Sequence, residues 1–380
     1  MAKRIIYGGN FINKGAEALT LTTVEMLRKK YPNDEPVLLD LFPTKFGADK
    51  LKYDFDVVNM HVRTLYRIQF PLLKLLFKES HKSNSEKEIT RLFDQAAGFY
   101  DISGYGISSH NQKPIWTLAT MLPAFWCKRR NIPVTLLPQS LGPFNFKGWK
   151  KLLIQPIIAR YLKIPRTIFI REAISRQYLA PFRTEEVINS YDLVLLNPTH
   201  IESQPEGQSI ALIPNRQLTN FMPEQSVAKL FAELAQKSID AGHTIHLFAH
   251  ATDDMKLCRL IYEAIPQKSK TTLYQTDFTV PQTEALLATM TGVITARYHG
   301  LVHAIKLGKP CFVIGWATKY QALIDAIDQQ DYYIDLSKNQ NQESIPACFE
   351  QWLEAGIQQG DQIKAKVEKI QAESQLMNYL

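Results

Sequence analysis

The sequence predicts an α/β protein built of two Rossmann-like, doubly wound domains facing a cleft. Three observations predict it. Short apolar runs alternate with stretches of helical spacing along most of the chain, the βαβ rhythm of parallel sheets covered on both faces. A length of 380 residues is more than one core comfortably fills and suits two domains of roughly 100–200 residues each. A polar, turn-rich stretch, NPTHIESQPEGQ over 197–208, separates two such series and reads as the linker.

The first series, 1–196, opens with the apolar strand KRIIYG, followed by a helix over 15–30 and a strand at PVLLDL. It continues with GFYDIS as a strand, IWTLATMLPAFWCKRR as a helix, PVTLLPQS as a strand, WKKLLIQPIIARYLK as a helix and RTIFIRE as a strand. The second series, 209–345, runs SIALIPN, a helix over 223–241, TIHLFAH, the helix DDMKLCRLIYEAI, TTLYQ and the helix TEALLATM. ITARYHGLVHAIKLGKPCFVIGW then gives strand, helix and strand, with Gly308 as the helix stop, before YYIDLS. Residues 346–380 have helical spacing and close the chain as terminal helices.

Hydrophobic content of 45% and charged content of 21% place the chain with folded globular proteins. The start, MAKRIIYGGN, is too short in apolar residues for a secretory segment, and nowhere do about 18 uncharged apolar residues run together. A cytoplasmic location is expected. Cys127, Cys258, Cys311 and Cys348 lie far apart without CxxC spacing, which suits reduced thiols and predicts no metal site. A net charge of +7 favours anionic partners: nucleic acid, acidic lipid or a phosphorylated substrate. Nucleic acid is set aside because no binding motif accompanies the charge.

In open parallel sheets ligands bind beyond the carboxyl ends of the strands, so the polar residues there are the candidates. After the first strand come Gly8, Gly9, Asn10, Asn13, Lys14, Gly15 and Glu17, glycines that admit close approach and free amide groups for an anion or a sugar hydroxyl. After GFYDIS, Gly104 and Gly106 bracket Tyr105, with Ser108, Ser109 and His110 as a polar rim. Gln139 and Ser140 end PVTLLPQS, the amide offering both donor and acceptor to a sugar. Arg171 ends RTIFIRE beside Glu172 and reads as an anion clamp. Arg297, Tyr298, His299 and Gly300 fall at a helix N-terminus, where an always-charged fork and a titratable imidazole join a site already favourable to negative charge. His303, four residues along that helix, reads as a packing or supporting residue.

These residues resemble, in order and over most of the chain, the motifs of the polysaccharide pyruvyl transferases. N-x-G-x-E is matched by Asn13, Gly15 and Glu17, although Ala16 stands where the family commonly has aspartate. A D-x-x-x-x-G-G-G-like segment appears as YDISGYGIS, its glycine run broken by Tyr105. Q-x-x-G-P is matched by Gln139, Gly142 and Pro143, and R-[DE]-x-x-S by Arg171, Glu172 and Ser175. R-x-H-[AG], a helix and G-x-P are matched by Arg297, His299, Gly300, Gly308 and Pro310.

The resemblance implies a GT-B-like fold, phosphoenolpyruvate as co-substrate with no further cofactor, and as acceptor a sugar of a cell-surface polysaccharide or of its lipid-linked or nucleotide-linked precursor. It implies donor binding by Arg171, Arg297, His299 and Gly300, with Arg171 and Arg297 sharing one anion, and catalysis by His299 with the two arginines. His299 would act as general acid or hold the departing phosphate, and Glu17 or Glu172 would be the base. Asn13, Lys14, Gly15, Glu17, Gly104, Tyr105, Gln139 and Ser140 are assigned to the acceptor side in the first domain.

The stretch 61–82, HVRTLYRIQFPLLKLLFKESHK, interleaves basic residues with Leu, Phe and Tyr. It reads as an amphipathic segment for peripheral contact with the anionic inner face of the cytoplasmic membrane, or as a domain helix with its apolar face in the core. Two rival functions share the architecture: a nucleotide-sugar glycosyltransferase of surface glycan synthesis, and a non-catalytic glycan- or lipid-binding assembly factor.

Overall fold

The structure, a computed structural model, describes residues 1–11, 14–41, 53–109, 114–199, 201, 207–338 and 344–380. Its residues group by contact into two compact units. The first comprises Met1–Ile12, Ala16–Leu193 and Ser374–Leu380, the second Asn13–Gly15 and Val194–Glu373.

The first unit holds seven strands: β1 (Lys3–Tyr7), β2 (Glu35–Asp40), β3 (Asp56–Asn59), β4 (Ala96–Asp101), β5 (Val134–Gln139), β6 (Thr167–Ile170) and β7 (Val187–Asn189). They lie in the order β3-β2-β1-β4-β5-β6-β7, every pairing parallel. Helices cover both faces, so the central strands read as unbroken apolar runs: Ile5, Ile6 and Tyr7 are sealed from solvent, and all six residues of β5 are buried. Tyr7, Phe99, Phe93 and Trp126 contact one another in series at ring separations of 5.4, 6.2 and 5.2 Å, the last pair edge-on.

The second unit holds β8 (Ser209–Ile213), β9 (Thr244–Phe248), β10 (Thr271–Tyr274), β11 (Gly292–Thr295), β12 (Cys311–Gly315) and β13 (Tyr333–Asp335). Their order is β10-β9-β8-β11-β12-β13, again all parallel. Beneath β11 and β12 the helix Ile345–Glu354 supplies Phe349 and Trp352. Phe312 lies 5.0 Å from Phe349 between ring centres, and a side chain on Gly292 would meet the Trp352 ring at 3.0 Å.

Both sheets have the doubly wound order in which the chain leaves the first strand in one direction, then returns to build in the other. The reversals fall between β1 and β4 and between β8 and β11, where helices diverge and leave a crevice beyond the strand ends.

Two strands escape the sequence pattern. β3 has four residues and β7 three, each at a sheet edge with one neighbour, so neither needs the apolar run that marks a buried strand. The sequence ends the first domain at 196, whereas contacts divide the chain at Leu193/Val194. The terminal helices also divide, Ile345–Glu354 and Gly360–Ala372 with the second unit and 374–380 with the first. Of the linker expected over 197–208, residues 200 and 202–206 lie outside the described residues.

Residues 61–82 do not form one amphipathic helix. The helix Val62–Gln69, capped by the His61 ring, buries Thr64 and Leu65. The 3-10 turn Pro71–Leu75 then buries nothing. Two of the basic side chains are used at home: Arg67 Nε donates to Glu86 at 2.6 Å and Lys74 Nζ at 2.5 Å.

Replacing Phe312, fully buried within its aromatic cluster, by Ala is expected to cost about 3–5 kcal/mol. The check is a lowered urea midpoint with far-UV circular dichroism unchanged at zero denaturant.

Candidate functional site

At the reversal in the second sheet, β8 is followed by Pro214 and Asn215, and β11 by Ala296 and Arg297. Asn215 ties the two ends together: its Nδ2 donates to Ala296 O at 3.1 Å while its Oδ1 accepts from Gln217 N. Tyr320 Oη donates to the same carbonyl at 2.9 Å, and Thr295 Oγ1 accepts from Arg297 N at 3.0 Å. The backbone is thus clamped where it turns into the helix Tyr298–Lys306, with Arg297 as its N-cap residue.

The Arg297 side chain is gripped in turn. Its Nε and Nη2 donate to the two oxygens of Asp254 at 2.7 and 2.5 Å, and Asp254, fully buried, also accepts from Arg216 N. This bidentate pair orients the guanidinium and offsets the cost of burying both charges. Two of the five N–H donors are used on the carboxylate, and the Arg297 side chain keeps 21% of its exposure. Arg297 is therefore an aimed donor more than a free charge.

His299 is half-buried on the first turn of the same helix. Gly15 lies against it: a Cβ on Gly15 would fall 2.1 Å from His299 Nδ1, closer than atoms can approach. Lys14, beside it in the same unit, is buried and pairs with Asp277 at 2.9 Å. Gly300, expected to touch the donor, is buried where a Cβ would meet Thr295 Oγ1 at 2.7 Å, so its small size serves the packing of helix on strand.

Behind this turn sits a buried polar group. His303 Nδ1 meets Glu284 Oε1 at 2.8 Å, and Lys306 Nζ donates to the same oxygen at 3.2 Å. Burial alone would raise the Glu284 carboxyl, but the hydrogen bond and charge of His303, with Lys306, hold it down at about 2. His250, two residues past β9, lies 5.9 Å from His303 between ring centres. Burial, joined by the charges of His303, Arg297, His299 and Lys14, holds its imidazole well below the ordinary value. Its Nε2 has no hydrogen-bond partner among the described residues.

In the first unit the loops after β1 and β4 cross closely. Gly8 has φ +87°, and a Cβ there would strike Ser103 Oγ at 2.2 Å, so glycine is required twice over. Asp101 ends β4 fully buried, accepting from Ser103 N at 2.8 Å and Tyr161 Oη at 3.1 Å; burial raises its carboxyl against those bonds.

Arg171 departs from the open anion clamp expected of it. Its side chain is 5% exposed and Nη1 pairs with the buried Asp192 at 2.6 Å, while Nη2 donates to Gly104 O and Ser140 Oγ, each at 2.9 Å. Glu172 does not answer Arg171; it accepts from Ser140 Oγ at 2.6 Å and Ser175 Oγ at 3.3 Å. Arg171 thereby draws together Gly104, Ser140 and Asp192 from three strand ends. Gln139, at the end of β5, is fully buried with neither end of its amide partnered among the described residues. Tyr105 stands 39% exposed and accepts from Ser108 Oγ at 3.0 Å. Glu17 is fully buried and accepts from Tyr53 Oη. Asn13 and His110 lie outside the described residues.

Sequence reasoning misses Asn215, His250, Asp254, Glu284 and Asp192. Asn215 and His250 follow strand runs and could have been found as strand-end polar residues. Asp254 and Asp192 act on arginines 43 and 21 residues away, and nothing local announces such a partner.

The sequence profile of the polysaccharide pyruvyl transferases matches residues 13–318, which span both strand-end clusters. The chain belongs to the polysaccharide pyruvyl transferase family. No curated protein sequence matches it. Among solved structures it is similar to HepE of Anabaena in complex with UDP-glucose, at 12% identity over 98% of each chain with a TM-score of 0.61. It is similar also to MnaA of S. aureus with UDP, at 10% identity over 97% of this chain and 95% of that one, TM-score 0.59. A third is the UDP-GlcNAc 2-epimerase of Neisseria meningitidis bound to UDP-GlcNAc, at 15% identity over 97% and 98%, TM-score 0.52. At these identities the likeness establishes that this pyruvyl transferase family member has the two-domain α/β fold of such proteins.

Glu284 gives the second unit an acid-sensitive lock. A carboxyl lowered from 4.5 to about 2 adds stability that is complete above pH 4.5 and is lost as pH falls toward 2. The thermal midpoint should therefore drop between those values by more in the wild type than in Glu284→Gln, followed by circular dichroism.

Proposed function

We propose that the protein transfers pyruvate from phosphoenolpyruvate to a sugar of a cell-surface polysaccharide, or of its lipid- or nucleotide-linked precursor, as a ketal. The observation that carries this reading is the pairing of Arg297, aimed by Asp254 at a helix N-terminus, with His299 held against Gly15. A planar fork fixed in orientation suits a carboxylate or phosphate, the helix terminus favours the same charge, and the imidazole adds a group that can move a proton.

The balance of the reaction defines the tasks. The enol methylene gains a proton to become a methyl group, one sugar hydroxyl adds to C2, the C2–O bond to phosphate breaks, and a second hydroxyl closes the ring. Of the two hydroxyl protons released, one replaces that given to the methylene and the other leaves with hydrogen phosphate. In this reading Arg297 holds the donor anion, and His299 either protonates the methylene or steadies the departing phosphate. His250 is a neutral neighbour able to share a hydrogen bond with the donor. On the acceptor side, Gln139, buried and without an amide partner among the described residues, is the residue best suited to a sugar hydroxyl. Arg171 acts as a positioning residue that fixes Gly104 and Ser140. Of the two candidate bases, Glu172 is the one joined to Ser140 by a hydrogen bond.

A second reading has one observation in its favour: similar structures hold UDP or a UDP-sugar. Incubation with phosphoenolpyruvate or with UDP-sugars, each with a panel of glycan acceptors, separates the two. Phosphate release with gain of a ketal supports pyruvyl transfer; release of UDP without phosphoenolpyruvate supports glycosyl transfer.

His299→Ala is expected to lower kcat for phosphoenolpyruvate turnover by about 100- to 10,000-fold. Undiminished transfer would sink the role given to His299. Gly15→Ala forces the imidazole aside and should cost about 100-fold in kcat with little change in thermal midpoint.

A further inference from the structure

We infer that the first unit carries a docking face for an anionic lipid bilayer, formed by residues 70–77 and the beginning of the helix Trp149–Tyr161. Leu72, Leu75 and Leu76 are 80%, 86% and 75% exposed, with Phe70 and Phe77 beside them, and Trp149 and Leu152 are 63% and 81% exposed. Leucines scattered singly over a surface need no explanation, but these are not scattered. The two segments flank one helix, Pro114–Arg129. The helix Val62–Gln69 packs on it and Tyr66 Oη donates to Ile115 O at 2.8 Å, while the helix Trp149–Tyr161 packs on it as well. Ile115 itself is exposed, so 9 of the 14 exposed large apolar side chains among the described residues belong to these three elements. Such concentration marks an interaction surface.

Charge selects the occupant. Lys78, Lys82, Lys147, Lys150 and Lys151 are all exposed around the apolar side chains. Glu79 is the one acid between 70 and 82, and 147–153 contains none. A second copy of the chain would bring the same lysines against these and be repelled. An anionic leaflet offers what the face lacks: phosphates at headgroup level for the lysines, and acyl chains about 5–10 Å deep for the leucines, with Trp149 at the boundary. Arg67, on the helix Val62–Gln69, and Lys74, in the turn Pro71–Leu75, are both engaged by Glu86, so the basic residues that count are the five exposed lysines of the rim. The face is independent of the reaction proposed above, and neither reading falls with the other.

Co-sedimentation with phosphatidylcholine vesicles carrying about one third phosphatidylglycerol tests it, with pure phosphatidylcholine as the comparison. Expected are binding to the anionic vesicles that weakens as salt is raised, and a loss of about tenfold or more in Leu72→Glu/Leu75→Glu and in Lys150→Glu/Lys151→Glu. These side chains are exposed, so unchanged thermal midpoints and unchanged turnover on a soluble acceptor should accompany the loss. Absence of binding by the wild type, or equal binding by both variants with intact folds, overturns the inference. So does a dimer in sedimentation velocity that the leucine variant dissociates while vesicles bind neither protein.

Discussion

A parallel sheet covered on both faces has no polar surface along its strands, and every reactive side chain is therefore driven to the strand ends. The rest of the molecule follows from that exclusion. In both units the inner strands are sealed, as Ile5–Tyr7 and Cys311–Ile314 are, and polar residues gather where the strands stop. Arg297 and His299 lie past β11, Arg171 past β6, Gln139 at the end of β5 and Asp101 at the end of β4. Burying charge at such places demands partners, and the partners found are carboxylates: Asp254 for Arg297, Asp192 for Arg171, Glu284 for His303 and Lys306. Each pair fixes a direction as well as offsetting a charge.

The two units solve the same problem differently. The second gathers its groups around one turn, with the guanidinium held by two hydrogen bonds, the imidazole pressed by a glycine, and the backbone tied by Asn215 and Tyr320. The first spreads its groups over a network in which one arginine spans an aspartate, a carbonyl and a serine hydroxyl. Removing the central arginine there would loosen several strand ends at once.

Much of this was legible in the sequence, for identifiable reasons. The inner strands are marked by apolar runs because their burial leaves no alternative, and the strand-end residues follow from the runs by position alone. The edge strands β3 and β7 were not legible, since DVVN and VIN carry only two apolar residues each, whereas the equally short edges β10 and β13 lie in the longer runs TTLYQ and YYIDLS. Nor were the carboxylate partners, because Asp254, after β9, is brought to Arg297, after β11, by both strands pairing with β8 and not by anything near either residue. Arg171 lies at a strand end, as its place after the run TIFI predicts, but its partners Asp192, Gly104 and Ser140 are remote in sequence, while the adjoining Glu172 accepts from Ser140 and Ser175. Of residues 61–82, the helix Val62–Gln69 enters the core as a domain helix would, while the turn after it buries nothing.

Residues 374–380 belong by contact to the first unit, yet 180 residues assigned to the other one separate them from Leu193. Tyr379 rests edge-on against Phe169 at 5.7 Å, and Tyr31 donates to Leu380 O. During synthesis the first unit can assemble its sheet as soon as β7 has emerged, but it must wait for the whole second unit before these contacts form. The order of translation thus makes the second unit's residues available before the first unit is finished, and a ribosome stalled beyond residue 193 would hold a domain with one flank still uncovered.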